Sequence, residues 1–476
     1  MTHWVPLAVV AIYLVVLAGV TWWARRLTER GGGGIVGYLL AGRGLPYWVS
    51  AALLAGLAVG GASTIGMAER AYTVGFSAGW YNAAWAAGAF VVAMTVARRY
   101  RRMEITTLPE LFERHYGTSA RVIGVIGQLL LQIVITSLQY VAGGAILSAL
   151  VPGLSSVCEA MPFPITPFQM GMVITAVVFV GITLIGGFWA AGLTNVINVT
   201  VIYVGVVLGA VLTVSRLGGI QAMTRALPSG HPGFDLLAVG PALIAAWFIV
   251  MITQAHSTQA VIQIGFASKD ETHAARAYIL GGLLILPVGF ISAVIGMAAA
   301  VLHPGIVPTE ALPRVVLGLP PLAAGLILAG LWAADVSTAS ALLMGSATLV
   351  SSDIVKRFFA PDLSPAKDML LGRVTVAVLS VLTFLLALTV QGILKALLIG
   401  LTLTTGYTLI ALMTIYAPRL CRRSSATWTL LATMASLALW WVLPESRRIF
   451  AHPIYFTWIA SLAAFFLVAI LDKRKI

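Results

Sequence analysis

Charge is scarce in this chain: Asp, Glu, Lys and Arg make up 9% of its 476 residues. Soluble domains carry about a quarter, so no stretch has the composition of a separate water-soluble domain. Cysteine is nearly absent. The two present, Cys158 and Cys421, fall in loops expected on opposite faces of a membrane, which excludes a disulfide between them, and no metal-ligand spacing exists. HExxH, histidine-box and GxSxG motifs are missing, as are paired catalytic carboxylates, so a membrane enzyme has no reacting groups to work with. No basic stretch precedes the first apolar run, and Arg25 and Arg26 follow it. That run reads as an uncleaved helix, not a signal peptide.

What is there is apolar: 60% of the residues are hydrophobic. Runs of roughly 20 apolar residues recur from end to end, the signature of a polytopic all-α membrane protein. Spans are expected near 5–25, 46–75, 78–97, 121–150, 165–187, 191–214, 236–266, 276–302, 321–352, 369–390, 393–416, 426–443 and 454–471, thirteen in all. The formal charge of +13 suggests nucleic acid until its placement is read. With the N-terminus outside and the C-terminus cytoplasmic, 22 Lys and Arg fall in inner loops and tails and six in outer ones, leaving Arg70 inside a span. That is the positive-inside bias. The basic partner is then the lipid bilayer and not nucleic acid.

Two spans are interrupted. The second contains GLAVGGASTIGMAERAYTVG, with Gly56, Gly60, Gly61 and Gly66 close together; glycine is costly inside a helix, and such clusters mark breaks or close approaches. The seventh carries Thr253, Gln254, His256, Ser257, Thr258 and Gln259 in a row of polar positions. Leu108-Pro109 precedes the fourth span and Leu312-Pro313 the ninth, on opposite faces by the topology above. Two broken helices, each opening a group of five, fit a five-plus-five inverted repeat with binding sites near the midplane.

The ninth span is the most loaded. It carries Asp335, Ser337, Thr338, Ser340, Ser346 and Thr348, although a carboxylate at bilayer depth costs roughly 2.5–3.5 kcal/mol on insertion scales. Ala334 and Thr338 share a helical face with Ser337 beside them. Two hydroxyls and a main-chain carbonyl pointing one way suit a small hard cation; serines and threonines also help membrane helices pack closely.

LAGRGLPYW, GMAERAYTVG, TTLPELFERHYG, GGFWAAGLTNVIN, QAVIQIGFASKDETHAAR and AADVSTASALLMGSATLVSSDIVKR occur in this order. The set resembles the sodium:solute symporter family over roughly residues 35–360. The resemblance implies one transmembrane unit, 1–476, with a LeuT-type ten-helix core. Residues 1–45 would form a peripheral helix and cytoplasmic loop, 46–416 the core, and 417–476 two peripheral helices and a short cytoplasmic tail. It places sodium on the carbonyls of Gly56, Val59 and Ala334 and the hydroxyls of Ser337 and Thr338. Ala58, Ser63, Tyr81, Asn82 and Gln254 would line the solute pocket, with His256 and Ser257 close by. Gln128, Gln132, Gln139 and Tyr140 read as contacts between helices.

Two positions depart from the family. Many sodium-coupled relatives carry an aspartate where this chain has Asn195, and Asp335 stands where they have an apolar residue. Asp335 would supply from the ninth span the negative charge missing at Asn195. Arg70 reads as a clamp for a solute carboxylate, a partner of Glu69, or the rim of the span.

The implied function is sodium-coupled uptake of a small polar or anionic organic solute across the cell (cytoplasmic or inner) membrane by alternating access. The alternatives are a proton-coupled or sodium-independent transporter of the same fold, or a membrane sensor, for which the short basic tail ending at Ile476 leaves no kinase. The topology predicts that Arg357→Cys, in a chain without Cys158 and Cys421, stays unlabelled by an impermeant maleimide in right-side-out vesicles. Labelling there reverses the orientation.

Overall fold

The computed structural model describes residues 4–30, 34–151, 153–162, 164–389, 400–450 and 452–476. Among these the apolar runs are helical and no β-strand occurs. The principal helices are α1 (Trp4–Arg30), α2 (Tyr47–Ala58), α3 (Ile65–Val74), α4 (Trp80–Thr95), α5 (Leu108–Tyr116), α6 (Thr118–Leu150), α7 (Pro167–Arg216) and α8 (Pro241–Ala255). They continue as α9 (Gln259–Ala267), α10 (Glu271–Leu302), α11 (Pro321–Thr348), α12 (Pro365–Ala387), α13 (Thr404–Tyr416), α14 (Ser425–Val442) and α15 (Pro453–Leu471). Several starts are written locally. Proline opens α7, α8, α11, α12 and α15, where its missing N–H costs nothing. Thr166 and Gln169 add a capping box to α7.

Among the described residues eight helices are long and apolar enough to cross a membrane, and two bent pairs raise the number to ten. The bent pairs are the two spans expected to be interrupted. The chain turns by 74° between Tyr47–Ala58 and the run from Gly61, and by 48° between Pro241–Ala255 and Gln259–Ala267. The two spans expected at 165–187 and 191–214 run together as the 50-residue α7. A straight helix of that length would measure about 75 Å, against a hydrocarbon core of about 30 Å. It is broken at Gly187, whose φ of 58° and ψ of −147° are non-helical; a Cβ there would lie 2.6 Å from the Tyr38 carbonyl oxygen. Of the span expected at 393–416, residues 393–399 lie outside the described residues, as does Lys395; α13 is the described remainder.

Burial ranks the helices. In the most apolar stretch of the run from Pro321 to Phe359, 94% is buried, against 28% for the first helix and 22% for α15. α11 packs against α1, α2, α6, α7 and α12. Its polar side chains therefore meet protein and never lipid, which is what makes them tolerable.

Past Thr348 the chain widens into a π-helix, Leu349–Phe359. It carries Asp353, which is fully buried and receives bonds from Arg121 Nε at 2.8 Å and Thr107 Oγ1 at 2.8 Å. Arg121 also pairs with Glu113, and Arg357 Nε donates to Glu113 at 3.0 Å. Burial works against the charge on Glu113, but hydrogen bonds from Arg357 and Arg121 outweigh it and lower its pKa to about 2. One knot thus joins α5, the start of α6 and the end of the α11 run. Removing one member of a buried pair costs roughly 3–5 kcal/mol, whereas an exposed pair contributes under about 1 kcal/mol. Asp353→Ala should therefore lower the thermal midpoint in detergent far more than Glu29→Ala, which breaks the exposed pair with Arg25. Equal midpoints would refute this ranking.

Candidate functional site

The α2 helix ends because Val59 (φ −94°, ψ 67°) and Gly60 (φ −95°, ψ −165°) leave helical geometry. A helix end leaves its last carbonyls without amide donors, and hydrocarbon offers none. α11 supplies them. Ser337 Oγ donates to Gly56 O at 2.7 Å, and Thr338 Oγ1 reaches Gly56 O at 3.0 Å and Leu57 O at 3.2 Å. Both hydroxyls also lie close to Ala334 O, at 2.7 and 3.0 Å. The approach needs a glycine: a Cβ on Gly56 would lie 3.1 Å from Ser337 Cβ and 1.9 Å from Asn195 Oδ1.

Each hydroxyl carries one proton, so the five short contacts among these groups cannot all be hydrogen bonds at once. The knot holds more acceptor oxygens than protons. A small hard cation resolves that surplus, and an all-oxygen, mostly neutral donor set suits a monovalent ion that must leave again. Four of the five expected ligands converge here: Gly56, Ala334, Ser337 and Thr338. Val59, where the helix ends, forms no hydrogen bond with either hydroxyl among the described residues; the Leu57 carbonyl, which was not expected, does. No cluster of His, Cys, Asp and Glu suited to a resident metal occurs among the described residues.

Asn195 and Asp335 flank the knot on two sides. Asn195 Nδ2 donates to Ala191 O at 2.7 Å, while its Oδ1 abuts Gly56, buried and without a partner. Asp335 Oδ1 accepts from the Gly61 amide at 3.0 Å, and its Oδ2 is buried and unpartnered. The carboxylate thereby sits on the first amide beyond the break, at the end that leads into α3.

Against the break lies a cavity of about 50 Å³. Ala58, Tyr81 and Gln254 line it as expected, together with Trp85, Gln139, Thr258 and Thr338. The remaining expected residues turn elsewhere. Ser63 Oγ bonds back to Ala58 O at 2.6 Å, and Asn82 Nδ2 reaches Ile285 O at 3.2 Å. His256 is held between Ile252 O at 2.7 Å and Thr95 Oγ1 at 3.0 Å. Ser257 Oγ donates to Thr404 O at 3.2 Å. Arg70 is half-buried on α3, does not line the cavity, and makes no ion pair among the described residues.

Of the residues read as contacts between helices, Gln128 and Tyr140 are such, bonding Ser257 O at 2.7 Å and Ser380 O at 2.8 Å. Gln139 is different, since it faces the cavity. Its signal was available: 128, 132 and 139 recur at helical spacing on one face of α6, the face that meets the break.

Two broken helices, a knot of oxygens between the first of them and α11, and a cavity beside it are the arrangement found in membrane transporters. The family model "Sodium:solute symporter family" matches residues 38–432, and the chain belongs to that family. The sodium/glucose cotransporter of Vibrio parahaemolyticus is 25% identical over 389 residues, covering 74% of this chain and 69% of that one. The osmoregulated proline transporter OpuE of Bacillus subtilis (strain 168) is 23% identical, covering 79% and 76%. The solved structure of a Na+-coupled sialic acid symporter, substrate-bound and outward-open, superposes with a TM-score of 0.80 over 99% of this chain and 98% of that one, at 18% identity. That likeness carries the fold, the LeuT type. The protein is a multi-pass, sodium-coupled solute symporter and not an enzyme.

The contact at Gly56 yields a two-step test. Gly56→Ala should lower the thermal midpoint and abolish sodium-dependent uptake, because its methyl group meets Asn195 Oδ1. Asn195→Ala in that background removes the obstruction and should recover part of the midpoint. A double variant no more stable than Gly56→Ala alone would mean that the two do not touch.

Proposed function

We propose that the knot between the α2 break and α11 is the sodium site and that the cavity beside it receives a small polar solute. The carbonyls of Gly56, Val59 and Ala334 and the hydroxyls of Ser337 and Thr338 are the ligands, with the Leu57 carbonyl positioned to join them. Val59 enters by a small rotation at the break. The observation that carries this reading is the surplus of carbonyl oxygens over hydroxyl protons at Ser337 and Thr338. Without sodium, the two hydroxyl protons and the Gly61 amide on Asp335 bridge the α2 break and α11. With sodium, the hydroxyls turn their lone pairs inward and the ion joins the helices more firmly.

Sodium therefore favours the arrangement in which the solute cavity is formed, and its release loosens both together. That is coupling by differential affinity for two states. Asp335 supplies fixed negative charge beside the knot, in the role that Asn195 cannot fill. The chain has thirteen spans, with the N-terminus outside and the C-terminus in the cytoplasm, and it moves solute into the cell across the cytoplasmic membrane. The Lys and Arg bias of the loops supports that orientation.

Ser337→Ala and Thr338→Ala each delete one oxygen that lipid cannot replace. Each should raise the sodium concentration for half-maximal uptake about tenfold, the effect of losing roughly 1.4 kcal/mol of binding. The double variant should lose sodium stabilisation in thermal unfolding. Unchanged sodium dependence in the double variant would place the site elsewhere.

A further inference from the structure

None of the side chains lining the cavity is charged. The break does offer one feature that draws anions, the free amides where a half-helix begins. Here the first of them is already taken: Gly61 N donates to Asp335 Oδ1 at 3.0 Å, and Gly61 itself lines the cavity. A solute carboxylate arriving there would meet an existing carboxylate, and the nearest intramembrane guanidinium, Arg70, does not border the cavity. A cationic solute finds no carboxylate either, because no acid lines the cavity and Asp335 is turned onto the Gly61 amide. Neither sign of solute charge meets a charged partner in the lining.

The lining does offer two carboxamides, each left with one free end. Gln139 Nε2 donates to Ile135 O at 3.2 Å, while Gln139 Oε1 is buried without a partner. Gln254 Oε1 accepts from Thr258 Oγ1 at 3.2 Å, while its Nε2 has only the sulfur of Met251 at 3.9 Å. Gln139 is 5% exposed and Gln254 1%, so neither free end has bulk water to satisfy it. One site asks for a donor and the other for an acceptor. The rest of the lining is largely apolar and includes the rings of Tyr81 and Trp85. A sugar would leave most of its hydroxyls unpaired against such walls, and flat groups pack well against the two rings.

From this juxtaposition we infer that the carried solute is uncharged and compact and presents an N–H donor next to a C=O acceptor, the edge of a carboxamide, lactam or ureide. Gln139 accepts from its N–H and Gln254 donates to its C=O. This rests on the sodium-site reading above, since that reading makes the neighbouring cavity the solute site.

Thermal unfolding of the purified transporter separates the two claims. It is measured in sodium and in potassium, with 2-pyrrolidinone, uracil, isobutyramide, isobutyrate, isobutylamine and glucose as probes. Sodium alone should raise the midpoint, and at least one of the first three probes should raise it further in sodium only. Gln139→Leu, which keeps the volume and removes an unpaired buried group, should weaken that probe about tenfold while leaving the sodium response intact. Gln254→Leu should do the same.

The inference is overturned, with the sodium reading standing, if sodium stabilises but none of the three amide probes does. It is equally overturned if isobutyrate, isobutylamine or glucose stabilises more strongly than they do. If sodium gives no shift over potassium, the reading beneath it fails instead.

Discussion

A helix broken inside a membrane leaves carbonyl oxygens that neither lipid nor water will satisfy. In this protein the oxygens at the end of α2 are satisfied from α11, through Ser337 and Thr338. Much of the central architecture follows from that contact. It requires Gly56, because any side chain would collide with Asn195. It requires α11 to be enclosed on nearly every side, which the packing of α1, α6, α7 and α12 achieves. It also fixes the cavity, since Thr338 faces both the knot and the cavity wall.

The second break makes a useful contrast. Its freed carbonyls at Thr253, His256 and Ser257 accept from Thr408 at 2.6 Å, Tyr100 at 2.8 Å and Gln128 at 2.7 Å. Each carbonyl there meets a side-chain donor from a different helix. At the first break Ser337 and Thr338 of α11 serve the Gly56 and Leu57 carbonyls, and Ser63 serves Ala58. The second break takes its donors from three separate elements, whereas the first takes two of its three from one face of α11. The two interruptions look alike in sequence, yet the partners that satisfy them differ.

Polar groups left unpaired at full burial are costly. Around the first break they gather on three sides: Asn195 Oδ1, Asp335 Oδ2 and Gln139 Oε1. All three are oxygens, and none has a hydrogen-bond partner among the described residues. At Asp353 hydroxyl and guanidinium donors from the starts of α5 and α6 converge on Oδ1 and lock the far end of the same helical run, while Oδ2 is left unpartnered among the described residues. One helical run is thus pinned by an ion pair at its end and bonded to the α2 break at its middle.

Hydropathy and glycine spacing were enough to find an all-helical membrane fold, both breaks and the polar face of α11, because those signals are local and periodic. The motifs in register carried the family, and four of the five residues expected around the ion do converge: Gly56, Ala334, Ser337 and Thr338. Direction was a different matter. Ser63, Asn82, His256 and Ser257 are as polar as Gln254, yet they bond to Ala58, Ile285, Ile252 and Thr404 and turn from the cavity. Gln139, grouped with its neighbours as a contact between helices, faces the cavity instead. Leu57 takes the contact with Thr338 that Val59 does not make, because the rotation at the break chooses which carbonyl turns toward α11. A side chain's partner in a membrane protein often lies hundreds of residues away. The chain alone therefore determined which polar residues had to find partners, and only the packing of the helices decided which of them were left facing the cavity.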